Sequence, residues 1–147
     1  MEENYILTVT GKQTVDGNSD KIELQTAASY VMKNGSRYIT YREYYSQNPE
    51  KKYRTTVKVD PNNVVTVMKG GTESHHLMLE QGVRHKCEYV TPYGIISLGI
   101  YSESVNIDLD DHGGELSVSY TIDIESQLAS SNELYLKIEE VNNNVNG

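Results

Sequence analysis

The 147-residue chain has a formal net charge of −8, one cysteine, twelve tyrosines, and neither phenylalanine nor tryptophan. Duplex DNA or RNA must be neutralised by Lys and Arg, and anionic lipid repels an acidic protein, so neither nucleic acid nor membrane is an expected partner. One cysteine closes no internal disulfide, Met1-Glu2-Glu3 has no basic region ahead of an apolar core, and no run approaches the length of a membrane span; the expectation is one reduced, soluble, cytoplasmic domain.

In chain order, turn signals cut the sequence into short alternating segments. After "VDGNSD" at 15–20, "KIELQTAASYVMK" sets Ile22, Leu24, Thr26, Ala28, Tyr30 and Met32 on one face, the period of a half-buried strand. Asn34-Gly35 is a two-residue hairpin signal, because both central positions of a type I′ turn need positive φ. "NGS" at Asn34 matches a glycosylation acceptor, but with no secretion signal it reads as that turn. "YREYY" then poses a choice: Arg42 faces inward with Tyr38 and Tyr44, or Glu43 does with Tyr41 and Tyr45. Either charge needs a partner inside a barrel.

"KKYRTTVKV" alternates Tyr53, Thr55, Val57 and Val59 against Lys52, Arg54, Thr56 and Lys58, a solvated basic face rather than an anion site. "VDPNNV" and "KGGT" are further turns. In "TPYG", Pro92 and Gly94 occupy the second and fourth positions of a type I turn. Ile96, Leu98 and Ile100 are in even phase whereas Val105, Ile107 and Leu109 are odd, which predicts a bulge or break around 102–104. "DDHGG" reads as a solvated turn, and "ELSVSYTIDIE" is a clean strand. "SSNELYLKIEEV" fits a strand better than a capped helix. About ten strands with short connections make an antiparallel up-and-down meander, and rolling into a barrel hides its edges. Residues 1–141 form the expected single barrel domain, and 142–147 a disordered tail.

The run "LEQGVRHKCEYVTPYGIISLGIYSESVNIDLDDHGGELSVSYTIDI", with "YITYRE" before it, resembles the YwiB-like family of small bacterial proteins over nearly the whole chain. The resemblance implies a calycin-like (lipocalin-like) β-barrel of eight to ten strands and no particular activity. Calycin-like barrels often hold small apolar molecules, which is analogy at the level of fold.

Three of the four histidines and the cysteine fall between Ser74 and Gly94. With Glu80-Gln81-Gly82 as a three-residue hairpin loop, Leu79 pairs with Val83, Leu77 with His85 and His75 with Cys87. One face then collects His75, Leu77, Leu79, Val83, His85, Cys87 and Tyr89. Two histidines and a cysteine suit zinc, although the spacing matches no finger or ribbon. Cys87 activated by His75 is a thiol nucleophile with no evident oxyanion hole. The plainest reading is a small buried thiol beside hydrogen-bonded histidines.

The expected function is non-enzymatic binding of a small, partly apolar molecule inside the barrel, with no cofactor. The candidate contacts are Arg42, Glu43, Tyr41, His75, His85, Cys87 and Tyr89. One alternative is an interaction module, monomer or homodimer, whose barrel is filled by its own side chains. Another is a small metal- or thiol-dependent enzyme using His75, His85 and Cys87.

Overall fold

Alternating apolar residues between tight turns produce ten strands: β1 (Tyr5–Val15), β2 (Asn18–Lys33), β3 (Ser36–Tyr45), β4 (Asn48–Val59), β5 (Val65–Lys69), β6 (His75–Leu79), β7 (Arg84–Thr91), β8 (Gly94–Asp110), β9 (Gly113–Ile124) and β10 (Gln127–Glu140). The computed structural model describes residues 3–45, 48–70 and 75–141, with side chains except at 44–45, 48–52, 75 and 89–91. Every ladder is antiparallel, and the strands form one sheet in the order β6-β5-β4-β3-β2-β1-β10-β9-β8-β7. The meander rolls up because β1 pairs with β10 as well as with β2, which makes an all-β, nearly closed barrel.

The expected phases hold. Leu7, Ile39, Val57, Val65, Leu79, Ile100, Leu116 and Leu136 are all but inaccessible and form one core. Burying a side chain of this size contributes about 1.5–3 kcal/mol before entropy is counted. The Asn34-Gly35 turn has φ of 53° and 82°, both positive as a type I′ turn demands. The ladder between β8 and β9 shifts register between Ser102 and Ser104, and this bulge is what moves the inward phase from even to odd residues. The C-terminal segment is a strand. Residues 142–147, expected as a disordered tail, lie outside the described residues.

The hairpin expected at His75–Tyr89 does not pair. Its two strands are the opposite ends of the sheet, β6 held by β5 and β7 by β8, with a seam between them. The turn explains the correction. Val83 N–H donates to Glu80 O at 3.0 Å with Gly82 at φ 75°, the pattern of a type II turn, which splays its strands instead of twisting them together. The turn is also tied to β8: Gly82 N–H donates to Ser102 O at 2.8 Å, and Gln81 Oε1 accepts from Val105 N at 3.0 Å.

Candidate functional site

The C-terminal ends of β1, β3, β5, β7 and β9 lie at one end of the barrel, as the antiparallel order requires. There the inner wall carries a cluster of polar side chains. Across β3, β4 and β5, Tyr41 pairs with Thr55 and Thr55 with Lys69, so three polar side chains stand in one inward row. Glu43 lies one inward step nearer the turns. Thr55, fully buried, donates its hydroxyl to Glu43 Oε2 at 2.5 Å, and Lys69 Nζ lies 3.8 Å from the same oxygen. On the facing wall Tyr120 pairs with Asn132, whose amide donates to Ser130 Oγ at 2.9 Å.

Between these walls lies a cavity of about 460 Å³, lined by Val57, Val67, Leu77, Leu134 and Leu136 and by the polar groups Tyr41, Glu43, Lys69, Tyr120 and Asn132. Its size and its mixture of apolar wall and convergent polar groups are those of a small-molecule site. Gly11 helps to make the room. It continues the inward row of Leu7 and Val9, facing Leu134 on one side and Ile22 on the other, and a methyl group there would meet nothing within 4 Å. Two troughs of about 560 and 450 Å³ lie elsewhere, bordered by outward residues such as Ser104, Asn106, Ser117 and Tyr135; they are furrows in a polar outer wall.

Burial first, and then the adjacent Glu43 carboxylate, push the Tyr41 phenol far above its ordinary range, so it remains a hydroxyl donor at neutral pH. Burial alone raises Tyr120.

Of the residues proposed from sequence, Glu43 and Tyr41 line this cavity. Arg42 does not: it is exposed on the outer face, paired in register with Arg54. His75 pairs with Lys69 and so extends the inward row by backbone position, but its side chain lies outside the described residues, as does that of Tyr89. His85 and Cys87 belong to the seam. His85 Nε2 is 2.9 Å from Glu80 Oε1, and Cys87 Sγ donates to the His76 carbonyl at 3.5 Å. With the hairpin unpaired, Cys87 does not stand opposite His75 as the zinc and thiol readings require. Among the described residues no three His, Cys, Asp or Glu side chains converge on a metal position.

Sequence reasoning passed over Lys69, Thr55, Gly11, Tyr120 and Asn132 as site residues. Lys69 carried a signal, being a charge in phase with Val65 and Val67 just before a turn, which places it at a rim.

Residues 7–136 match a domain of unknown function, DUF1934. The chain is 27% identical over 126 residues to the uncharacterized beta-barrel protein YwiB of Bacillus subtilis (strain 168), covering 84% of this chain and 86% of that one. The crystal structure of the ywiB protein from Bacillus subtilis superposes with a TM-score of 0.78 at 25% identity, over 92% of this chain and 90% of the other.

Proposed function

The chain belongs to the DUF1934 family, a domain of unknown function, and from the geometry of its interior we propose that it is a non-enzymatic binding protein that holds a small, partly apolar molecule in the open end of the barrel. The cavity of about 460 Å³ carries this reading. A barrel serving only as a scaffold for surface contacts has no need to leave its interior unfilled, since a void forfeits packing energy. The polar groups at the rim supply orientation, and the aliphatic wall supplies the driving force. The same reading keeps the chain in a reducing, cytoplasmic setting, with Cys87 a thiol.

Native mass spectrometry of the protein isolated gently from its own cells tests this, beside a Gly11→Leu variant. Gly11 has no positive φ, and its missing side chain leaves open space, so leucine is sterically admissible there and fills the cavity. The expected result is a small-molecule increment on the parent that denaturation removes and the variant lacks. A bare parent protein, monomer or dimer, counts against the proposal and favours an interaction module.

A further inference from the structure

We propose that the lumen takes a cationic amphiphile, its ammonium head on Glu43 and its apolar tail toward Leu136, and that Lys69 occupies the place of the head until the ligand arrives. This rests on the lumen being a binding site at all. The inward phase at this end of the barrel carries Asp20 and Glu43 against Lys69, two carboxylates to one ammonium among the described residues. Lys12 and Glu133, also at the rim, lie 3.8 Å apart in the outward phase and leave the inward balance unchanged.

Glu43 and Lys69 differ in how firmly they are held. Glu43 has 21% side-chain exposure and is fixed by the buried Thr55 hydroxyl; Lys69 has 43% exposure and reaches Glu43 only at 3.8 Å, beyond hydrogen-bond distance. A long flexible lysine at a rim can swing into water at little cost, whereas Glu43 is pinned by the Thr55 hydroxyl and stays. An incoming ammonium replaces Lys69 and preserves that balance. An incoming carboxylate would have to settle beside Glu43 and Asp20, with Lys69 the one inward ammonium among the described residues. Tyr41 and Tyr120 are in the same lining, and an aromatic ring attracts a cation that comes over its face. Beyond them Val57, Val67, Leu77 and Leu136 form the wall a hydrocarbon tail would follow.

Calorimetric titration with decylamine, decanol and decanoate at neutral pH, each below its micellar concentration, tests the head group apart from the cavity. The amine is expected to bind about tenfold or more tighter than the alcohol, from one charge-assisted contact, with decanoate weakest. Glu43→Gln should erase the advantage of the amine over the alcohol. Lys69→Met should tighten the amine by removing its competitor. Decanoate or decanol binding as well as the amine overturns the head-group assignment while leaving the lumen reading standing, and weaker amine binding by Lys69→Met overturns the placeholder role. Failure of all three probes to bind overturns the lumen reading together with this one. The ranking on the unaltered protein decides the head group even if a variant folds poorly.

Discussion

Gly82 donates its backbone N–H to the carbonyl of Ser102 at 2.8 Å, fastening the β6–β7 turn to the bulge of β8. Among the described residues the seam is also held by the Gln81–Val105 bond, the His85–Glu80 pair and the Cys87 thiol on His76 O. Gly82 has φ 75° and open space where a Cβ would stand, so Gly82→Ala costs backbone strain of about 1 kcal/mol rather than a clash. The expected outcome in hydrogen exchange is faster opening of β6 and β7 with β1 and β10 unchanged. A uniform change around the barrel would mean that the seam is no separate unit.

Leu136 is 2% exposed and serves both the core and the cavity wall. Leu136→Ala should lower stability by about 2–5 kcal/mol, read as a fall in the urea midpoint. Ile22, on the same inward phase but 70% exposed at the rim, is the control. Ile22→Ser should stay within about 0.5 kcal/mol of the parent.

Alkaline pH should open the barrel through its tyrosines. Tyr41 and Tyr120 are raised by burial, so the folded state keeps protons that the unfolded chain gives up near about pH 10. Their contribution is fully present below that pH and is lost as pH rises toward the folded values. With no tryptophan in the chain, tyrosinate absorbance follows the titration directly. A late component coincident with unfolding is expected, and Tyr41→Phe should lose less stability than the parent above about pH 10. A single ordinary phenol titration of the folded barrel would contradict this.

Acid pH should act on the outer wall at Asp123. Arg84 grips that carboxylate with both nitrogens, Nη2–Oδ1 at 2.6 Å and Nε–Oδ2 at 3.0 Å, and this hydrogen bonding holds Asp123 below its ordinary value. The stabilisation is therefore present above about pH 4, the unfolded value, and disappears as pH falls through the depressed one. The guanidinium lies across Gly99, where any Cβ would strike it. Both Arg84→Met and Gly99→Ala should return the Asp123 titration, followed by NMR of its carboxyl carbon, to the ordinary range. Restoration by the first and not the second would mean that the Arg84 side chain can reach Asp123 by another route.

The strands, the Asn34-Gly35 turn, the slip at Ser102–Ser104 and the rolled meander were legible, because period-two alternation and a glycine-bearing two-residue turn are local signals. The inward face of β3 was legible too, through a residue given no weight: Ile39, the one aliphatic side chain in "YITYREYY", is in phase with Tyr41 and Glu43 and is 1% exposed. The seam was not. Leu77, Leu79, His85 and Cys87 face inward whether β7 pairs with β6 or hangs from β8 alone, so the apolar pattern cannot choose between them. Only the turn geometry at Gln81-Gly82 and its long-range bond to Ser102 decide it. The Glu43–Thr55–Lys69 cluster was hidden for the same reason, since it assembles laterally across three strands.

Leu7 on β1 faces Ile138 on β10, and this pairing orders events in time. As the chain emerges from a ribosome, β2 to β6 can zip successively onto their neighbours in sequence, and β7 to β9 likewise among themselves, but β1 has only β2 to hold until β10 is released. Its second edge, and the inner row of Leu7 and Val9, must wait for the tenth strand to be made. The nascent barrel is therefore two open, sticky sheets until β10 appears, and that strand is the one that joins them.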